Sequence, residues 1–298
     1  VLDDDFASLR PLEGDRSGET FVAEVGGERQ VVRVYARDPA RAEVDAALLR
    51  LVRGLVPVPD VLEVRPPRGD LPALLVTSFV PGVRGDLHLA SLPDDLSGGF
   101  AWALAEVAAT LAGMPTLTRG ALTGPGLRIE PLDGGADGLP AHVEAHRPDL
   151  AHWSSEELAG LDEVAGTAQA LLDTVDRTCL VHGGLEPRNV VVDPVTRWIT
   201  AVVGWEHAHA GHPFADLGSV LRLDRGPAYV EVALSAFEDR HGVPPDEALA
   251  LARAADLWAL TDLAGRRRQD PAAQRAHDLL RGIAASRDLG WTLPEAPA

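Results

Sequence analysis

The sequence predicts an α+β protein of two lobes, a small β-rich N-terminal lobe over residues 1–82 and a larger, mainly helical C-terminal lobe over 83–298. Three observations predict it. Short β-branched runs crowd the first part of the chain, to about Phe79. Ala/Leu-rich stretches of helical period dominate from Ser91 onward. Between those helices, three short β-like segments lie together at 179–203.

Each element has a local reason. Thr20–Val25 and Gln30–Tyr35 alternate as strands, and Gly26-Gly27 between them is a hairpin signal. A helix is expected from about Pro39 to Arg53, with Pro near its start and Val44, Leu48, Leu49 and Leu51 along one side. Val56-Pro-Val-Pro59 ends it, and Val61–Val64 and Ala73–Val80 read as two more strands before Pro81-Gly82. Gly99–Met114 reads as a helix, whereas Gly- and Pro-rich Pro115–Trp153 reads as an irregular excursion, a candidate cap over a substrate. Ser154-Ser-Glu-Glu157 is an N-cap with an acidic first turn, opening a helix to about Val175. The β-like patch comprises Cys179–His182, Val190–Val192 and Trp198–Val203, with Asp193-Pro-Val-Thr-Arg197 as a turn. Helical period returns over Phe214–Leu223, Ala228–Arg240, Pro245–Arg267 and Pro271–Ser286. A β-rich small lobe followed by a helical lobe with a β-patch in its middle is a protein-kinase-like layout.

Composition narrows the function classes. At 46% apolar and 24% charged residues the chain has an ordinary globular profile, with enough length for one large domain or two lobes sharing a cleft. A net charge of −18 argues against a nucleic-acid partner, which needs a basic face. No apolar run is long enough to span a bilayer, and Val1–Arg10, with Asp3, Asp4 and Asp5, lacks the basic-then-apolar pattern of a secretory leader. A cytoplasmic location without membrane partners is the expectation. The single cysteine, Cys179, excludes an internal disulfide and sits in an apolar segment that suits a buried strand. All 27 basic residues are Arg, so no lysine is available to form a Schiff base or clamp a phosphate.

The informative stretch is Leu180-Val-His-Gly-Gly-Leu-Glu-Pro-Arg-Asn-Val-Val-Val-Asp193, followed by Val202-Val-Gly-Trp-Glu206 and Ala208-His-Ala-Gly-His-Pro-Phe-Ala-Asp-Leu217. These resemble the H-G-D-x-x-x-x-N loop, the D-[WF]-E segment and the G-x-P-x-x-D-L stretch of the aminoglycoside phosphotransferases and their choline-kinase-like relatives. The resemblance extends over the order of segments along the whole chain. In that family the first Asp orients or deprotonates the attacking hydroxyl, while the Asn and the second Asp hold magnesium. Here the resemblance places His182 and Asn189 at their expected positions, but Gly184 at the base and Gly204 at the metal ligand. A glycine side chain can neither take a proton nor ligate Mg²⁺.

The resemblance implies further roles. Asp216 matches the family's structural Asp, whose carboxylate accepts backbone N–H bonds from the loop, and Glu206 is the carboxylate near position 204 that could take a metal. Arg33 stands where the phosphate-clamping Lys would be, with Asp45 favoured over Glu43 as its helix partner by its spacing to Leu48 and Leu49, although a strand Arg in a surface pair is an equal reading. Ser17 and Gly18, in Glu13-Gly-Asp-Arg-Ser-Gly-Glu-Thr20, lie where the phosphate-covering loop would lie, although such turns are common. Glu186 is a further loop carboxylate expected to face outward. His207, His209 and His212 have no standard metal spacing and read as polar loop histidines.

Two functions follow. The first is a pseudokinase: a binding, accessory or regulatory protein with little or no phosphoryl transfer. It would take a small molecule or peptide in the interlobe cleft, or a partner enzyme. The second is an ATP-dependent phosphotransferase acting on a hydroxyl with displaced acids; a different reaction on the same scaffold ranks third. ATP and Mg²⁺ are the implied cofactors, both weakened by the glycines, or none is used.

Overall fold

The computed structural model of the chain describes residues 9–12, 19–93, 96–131, 138–223, 226–268 and 271–294. In chain order the strands are β1 Leu9–Pro11, β2 Thr20–Val25, β3 Glu28–Tyr35, β4 Val61–Arg65, β5 Ala73–Ser78, β6 Val83–Arg84, β7 Pro115–Thr116, β8 Gly120–Thr123, β9 Arg128–Glu130, β10 Thr178–Val181, β11 Val190–Val192, β12 Ile199–Val202 and β13 His209–Gly211. The helices are α1 Arg41–Val52, α2 Gly85–Ser91, α3 Ser97–Ala112, α4 Gly138–Ala145, α5 Ser155–Leu172, α6 Ala215–Leu221, α7 Pro227–His241, α8 Pro245–Gly265 and α9 Pro271–Ser286. Three single-turn 3₁₀ segments, Arg147–Leu150, Pro187–Asn189 and Trp205–His207, complete the order. The α+β class is as the sequence predicts.

The chain divides into two compact units, and the first comprises 1–90, 121–130 and 187–207. Its main sheet is antiparallel in the order β1-β2-β3-β5-β4. The β2–β3 hairpin turns at Gly26 and Gly27, both at positive φ, where a side chain would be strained. Ala23, Val32, Leu74 and Val76 form the buried cluster of the sheet, and α1 packs on β4 and β5. A second, three-stranded sheet runs β12-β11-β6. Segment 187–207 is thus part of this unit, with the Val202 N–H donating to Pro57 O at 2.8 Å.

The second unit comprises 91–120, 131–186 and 208–298. Strand β10 lies between β7 and β13, and around it pack α3 on α7, α6 on α8, and α5 and α8 on α9. Helix α5 opens on a capping box: Ser154 Oγ accepts the Glu157 N–H at 3.2 Å, and the Glu157 carboxylate accepts the Ser154 N–H at 2.7 Å. Cys179 is buried in β10, and burial first, with Asp216 adding, pushes its thiol up to about 12. It is a packing residue.

Two expectations need correction. Pro115–Trp153 is not irregular: it contains β7, β8, β9, α4 and a 3₁₀ turn. The strands are only two to four residues long and take their order from hydrogen-bond partners, while α4 tolerates Pro140 in its first turn and buries Leu139 and Val143. Nor are the histidines all polar loop residues. His207 ends a 3₁₀ turn in the first unit and His209 lies in β13, but His212 is 7% exposed with its ring 5.8 Å from Phe214. Burial first, then Arg119, pushes its imidazole down to about 4.

Two stability predictions follow. A Cβ on Gly160 would lie 2.1 Å from the Ala284 carbonyl oxygen of α9, so Gly160→Ala must force the two helices apart. Overpacking costs about 1–3 kcal/mol and outweighs the ~1 kcal/mol gained in helix propensity, so chemical denaturation is expected to show a net loss. His212 binds its proton only at about 4 in the folded chain against 6.5 in the unfolded one. The unfolded state therefore gains the proton first, and stability falls as pH drops from 6.5 toward 4, by on the order of 3 kcal/mol. Denaturation midpoints across that window should flatten in His212→Phe relative to the unaltered chain.

Candidate functional site

The residues singled out by the loop motif fall in both units, and each half is built separately. In the second unit the loop leaves β10 at His182, which is fully buried. Asp216, in the first turn of α6, accepts the His182 backbone N–H at 2.8 Å and the Gly183 N–H at 3.1 Å. Gly183 has φ +77°, a left-handed turn that glycine adopts without strain. The chain then passes Gly184, whose carbonyl accepts the Glu186 N–H at 2.8 Å. Burial raises the Asp216 carboxyl to about 6 against the pull of those two N–H donors.

Glu186 faces inward, contrary to the expectation for its position. Its carboxylate bonds Arg222 Nη1, at the C-terminal end of α6. The same guanidinium makes three hydrogen bonds of 2.8–3.1 Å to Asp256 of α8 and one of 3.0 Å to Ser219 Oγ. Burial pushes the Asp256 carboxyl up while Arg222 opposes it; for Arg222, burial lowers the pKa but the two carboxylates outweigh it and hold the cation. The signal was Arg222 itself, a charge within a helical apolar stretch that needs a buried partner. Its partner is 36 residues away for Glu186 and 34 for Asp256, beyond the reach of any local pattern.

In the first unit β3 presents Arg33, α1 presents Arg41 and Asp45, and 187–207 supplies Asn189, Gly204 and Glu206. Arg33 Nη1 bonds Glu206 Oε2 at 2.9 Å rather than Asp45. Asp45 is taken instead by Arg41 Nε at 2.6 Å and by the Tyr35 hydroxyl at 2.7 Å. The reason is reach: Arg41 is one helical turn from Asp45, and its Nη2 also donates to Trp205 O at 2.6 Å, tying α1 to the turn that carries Glu206. Burial raises Asp45, and burial also raises Tyr35 with Asp45 adding to it. For Glu206, burial would raise the carboxyl, but Arg33 overrides it and holds the group ionised below the usual range.

Gly204 and Glu206 both lie beyond the strand. Strand β12 ends at Val202, and Glu206 lies in the 3₁₀ turn Trp205–His207. Gly204 has φ +82°, and a Cβ placed on it would sit 3.0 Å from both Cγ and Oδ1 of Asn189. Asn189 in turn accepts the Val203 N–H on its backbone oxygen at 2.9 Å. The two positions therefore face each other within this unit. Ser17 and Gly18 lie outside the described residues. Among the described residues Arg33 Nε is buried and has no hydrogen-bond partner.

Similarity to known proteins identifies the family. The profile of the phosphotransferase enzyme family (APH) matches residues 8–249. An aminoglycoside 3'-phosphotransferase of Streptomyces fradiae is 31% identical over 260 residues, covering 77% of this chain and 86% of that protein. Among solved structures, an aminoglycoside 2'-phosphotransferase-IIIa variant in complex with GDP superposes with a TM-score of 0.68 at 20% identity, over 97% of this chain and 94% of that one. A thermostable variant of aminoglycoside phosphotransferase APH(4)-Ia, in ternary complex with ADP and hygromycin B, gives 0.63 at 20% identity over 95% and 93%. With its fold and most of its length so matched, the chain belongs to the aminoglycoside phosphotransferase family and has that family's kinase-like α+β fold.

Proposed function

We propose that the protein is a degenerate member of this family, a pseudokinase that uses the scaffold to bind a ligand and transfers phosphate little or not at all. The observation that carries this reading is the pairing of Gly204 with Asn189. By the family resemblance those two positions hold the magnesium ion. The missing Cβ of Gly204 points at the Asn189 amide from 3.0 Å, so an Asp there would complete a carboxylate–amide pair. With glycine the donor set shrinks to one neutral amide oxygen. Mg²⁺ demands octahedral oxygen coordination anchored by carboxylate, so the residues present do not fit that ion.

Substitute acids are engaged elsewhere. Glu206 is held by Arg33 at 2.9 Å, and Glu186 is held by Arg222. Both acids are thus committed to cations, and the base that the family carries at Gly184 is missing, at a cost on the order of 10²–10⁴ in rate. A nucleotide without the metal is a different matter. Arg33 keeps a buried Nε–H without a partner among the described residues, a donor that suits a phosphate oxygen.

A working phosphotransferase remains the second reading, favoured by the 31% identity to a protein named as an aminoglycoside 3'-phosphotransferase. It would need Glu206 to leave Arg33 and join Asn189 at a metal. A small-molecule hydroxyl, in the manner of that relative, would then be the acceptor.

Thermal shift and radiolabelled transfer assays on the purified chain separate the two. ATP, GTP and ADP are each run with and without Mg²⁺, with aminoglycosides as acceptors. The expected result is a nucleotide shift indifferent to Mg²⁺, with no transfer above background; Mg²⁺-dependent transfer to any hydroxyl overturns the pseudokinase reading. In Gly184→Asp/Gly204→Asp, a Mg²⁺-dependent shift should appear. The left-handed backbone at 204 makes that variant less stable by about 1–2 kcal/mol, although Asp tolerates such a φ better than most residues.

A further inference from the structure

Away from the loop motif, α4 and α8 bring two histidines and a carboxylate together in the second unit. His142 and His146 are one helical turn apart, and Asp262 follows Trp258 by one turn on α8. The Nε2 atoms of both histidines lie 3.1 Å from the same oxygen, Asp262 Oδ1, and the three atoms are within 4.8 Å of one another. The Trp258 ring packs on His142 with centroids 4.6 Å apart, and His142 Nε2 also lies 3.3 Å from the Trp258 carbonyl oxygen.

The protons at His146 do not balance. Its Nδ1 is 2.9 Å from the His142 carbonyl oxygen, which can only accept, so Nδ1 carries a hydrogen. Its Nε2 faces Asp262 Oδ1, which also only accepts when ionised. A neutral imidazole has one N–H and cannot serve both. Either the ring is an imidazolium, or a cation lies between Nε2 and the carboxylate. The contrast is His277 of α9, whose Nε2 accepts the Trp153 indole N–H at 3.0 Å while Nδ1 faces Asp278 at 3.0 Å. A neutral ring with its hydrogen on Nδ1 satisfies these two contacts, and its Nε2 also lies 2.9 Å from His152 Nε2.

We propose that His142, His146 and Asp262 form a three-ligand site for a zinc-class divalent cation. Ligand atoms around tetrahedral zinc, bound at about 2.0–2.2 Å, stand roughly 3.3 Å apart, close to the two His–Asp separations. Two imidazoles select zinc, cobalt, nickel or copper over magnesium and calcium. The Nδ1–H of His146 bonded to a backbone carbonyl is the outer-shell contact that sets Nε2 as the metal-binding atom. Asp262 is 47% exposed, which leaves an entry path and a fourth position for water. The ion would fasten α4 to α8, and it is separate from the Asn189 and Gly204 positions, which lie in the other unit.

The test uses the full chain without an affinity tag, stripped with chelator and titrated with Zn²⁺ alone. One equivalent is expected to bind and raise the thermal midpoint, and Co²⁺ should give the visible bands of a tetrahedral or five-coordinate centre. His146→Ala and Asp262→Asn should each weaken binding at least about tenfold, the lower end of what even outer-shell losses cost. Should either variant fail to fold, ¹⁵N shifts of the native histidines decide. Nε2 of His142 and His146 must move to metal-bound values on adding Zn²⁺. No zinc binding, undiminished binding in both variants, or a His146 that stays imidazolium in zinc overturns the proposal.

Discussion

Helix α6 is seven residues long, and the second unit turns on the three residues it places at Asp216, Gly218 and Arg222. Asp216 holds the loop leaving β10 by two backbone N–H bonds. Arg222 holds the same loop further along, through Glu186, and ties it to α8 through Asp256. Gly218 lets α8 come close: a Cβ there would stand 2.5 Å from the Ala252 carbonyl oxygen. Each charge is buried, so each depends on its partner. Removing one member of such a buried set strands the others, at about 3–5 kcal/mol. The carboxylate in the first turn and the guanidinium at the last also lie favourably along the helix dipole.

That arrangement separates two kinds of acid that a family motif presents as one string. Asp216, Glu186 and Asp256 are structural: their hydrogen bonds are to backbone N–H groups and to a buried Arg. The acids that a phosphotransferase uses on its substrates face the ligand and add little to the fold. The shape of the loop through Gly184 is therefore set by α6 and does not depend on an acid at that position. The fold of a relative and the chemistry of a relative are carried by different residues, and the fold is the part that this chain shares with its solved relatives.

The helices were legible because their signals are local. Ser154 with Glu157, the Pro residues opening α7, α8 and α9, and the apolar period of each lie within one stretch of chain. The short strands β6, β7 and β13 were not, since two or three residues acquire strand character only from a partner far away. The site divides the same way. Asp216 was legible as a loop anchor from its motif position. The partner of Arg33 was not, because Glu206 lies 173 residues away and takes the bond that spacing assigned to Asp45. Glu186 was misread outward for the same reason: nothing near it in sequence announces Arg222.

The Arg33–Glu206 pair bears on more than the metal. In a chain without lysine, Arg33 is the cation that holds Glu206 and, on the proposed reading, would serve a phosphate as well. A planar guanidinium can do so, because it offers five N–H donors and Glu206 accepts from only one nitrogen. An ammonium at that position, a point charge bound to a carboxylate, would have to abandon one partner for the other. Arg33 therefore keeps Glu206 ionised and fixed whether or not a phosphate arrives. The same bond that leaves Nε without a partner among the described residues takes up the carboxylate that a metal would need. Anion recognition and metal-assisted transfer thus make opposite demands on this one residue, so the proposed function turns on whether Glu206 stays with Arg33.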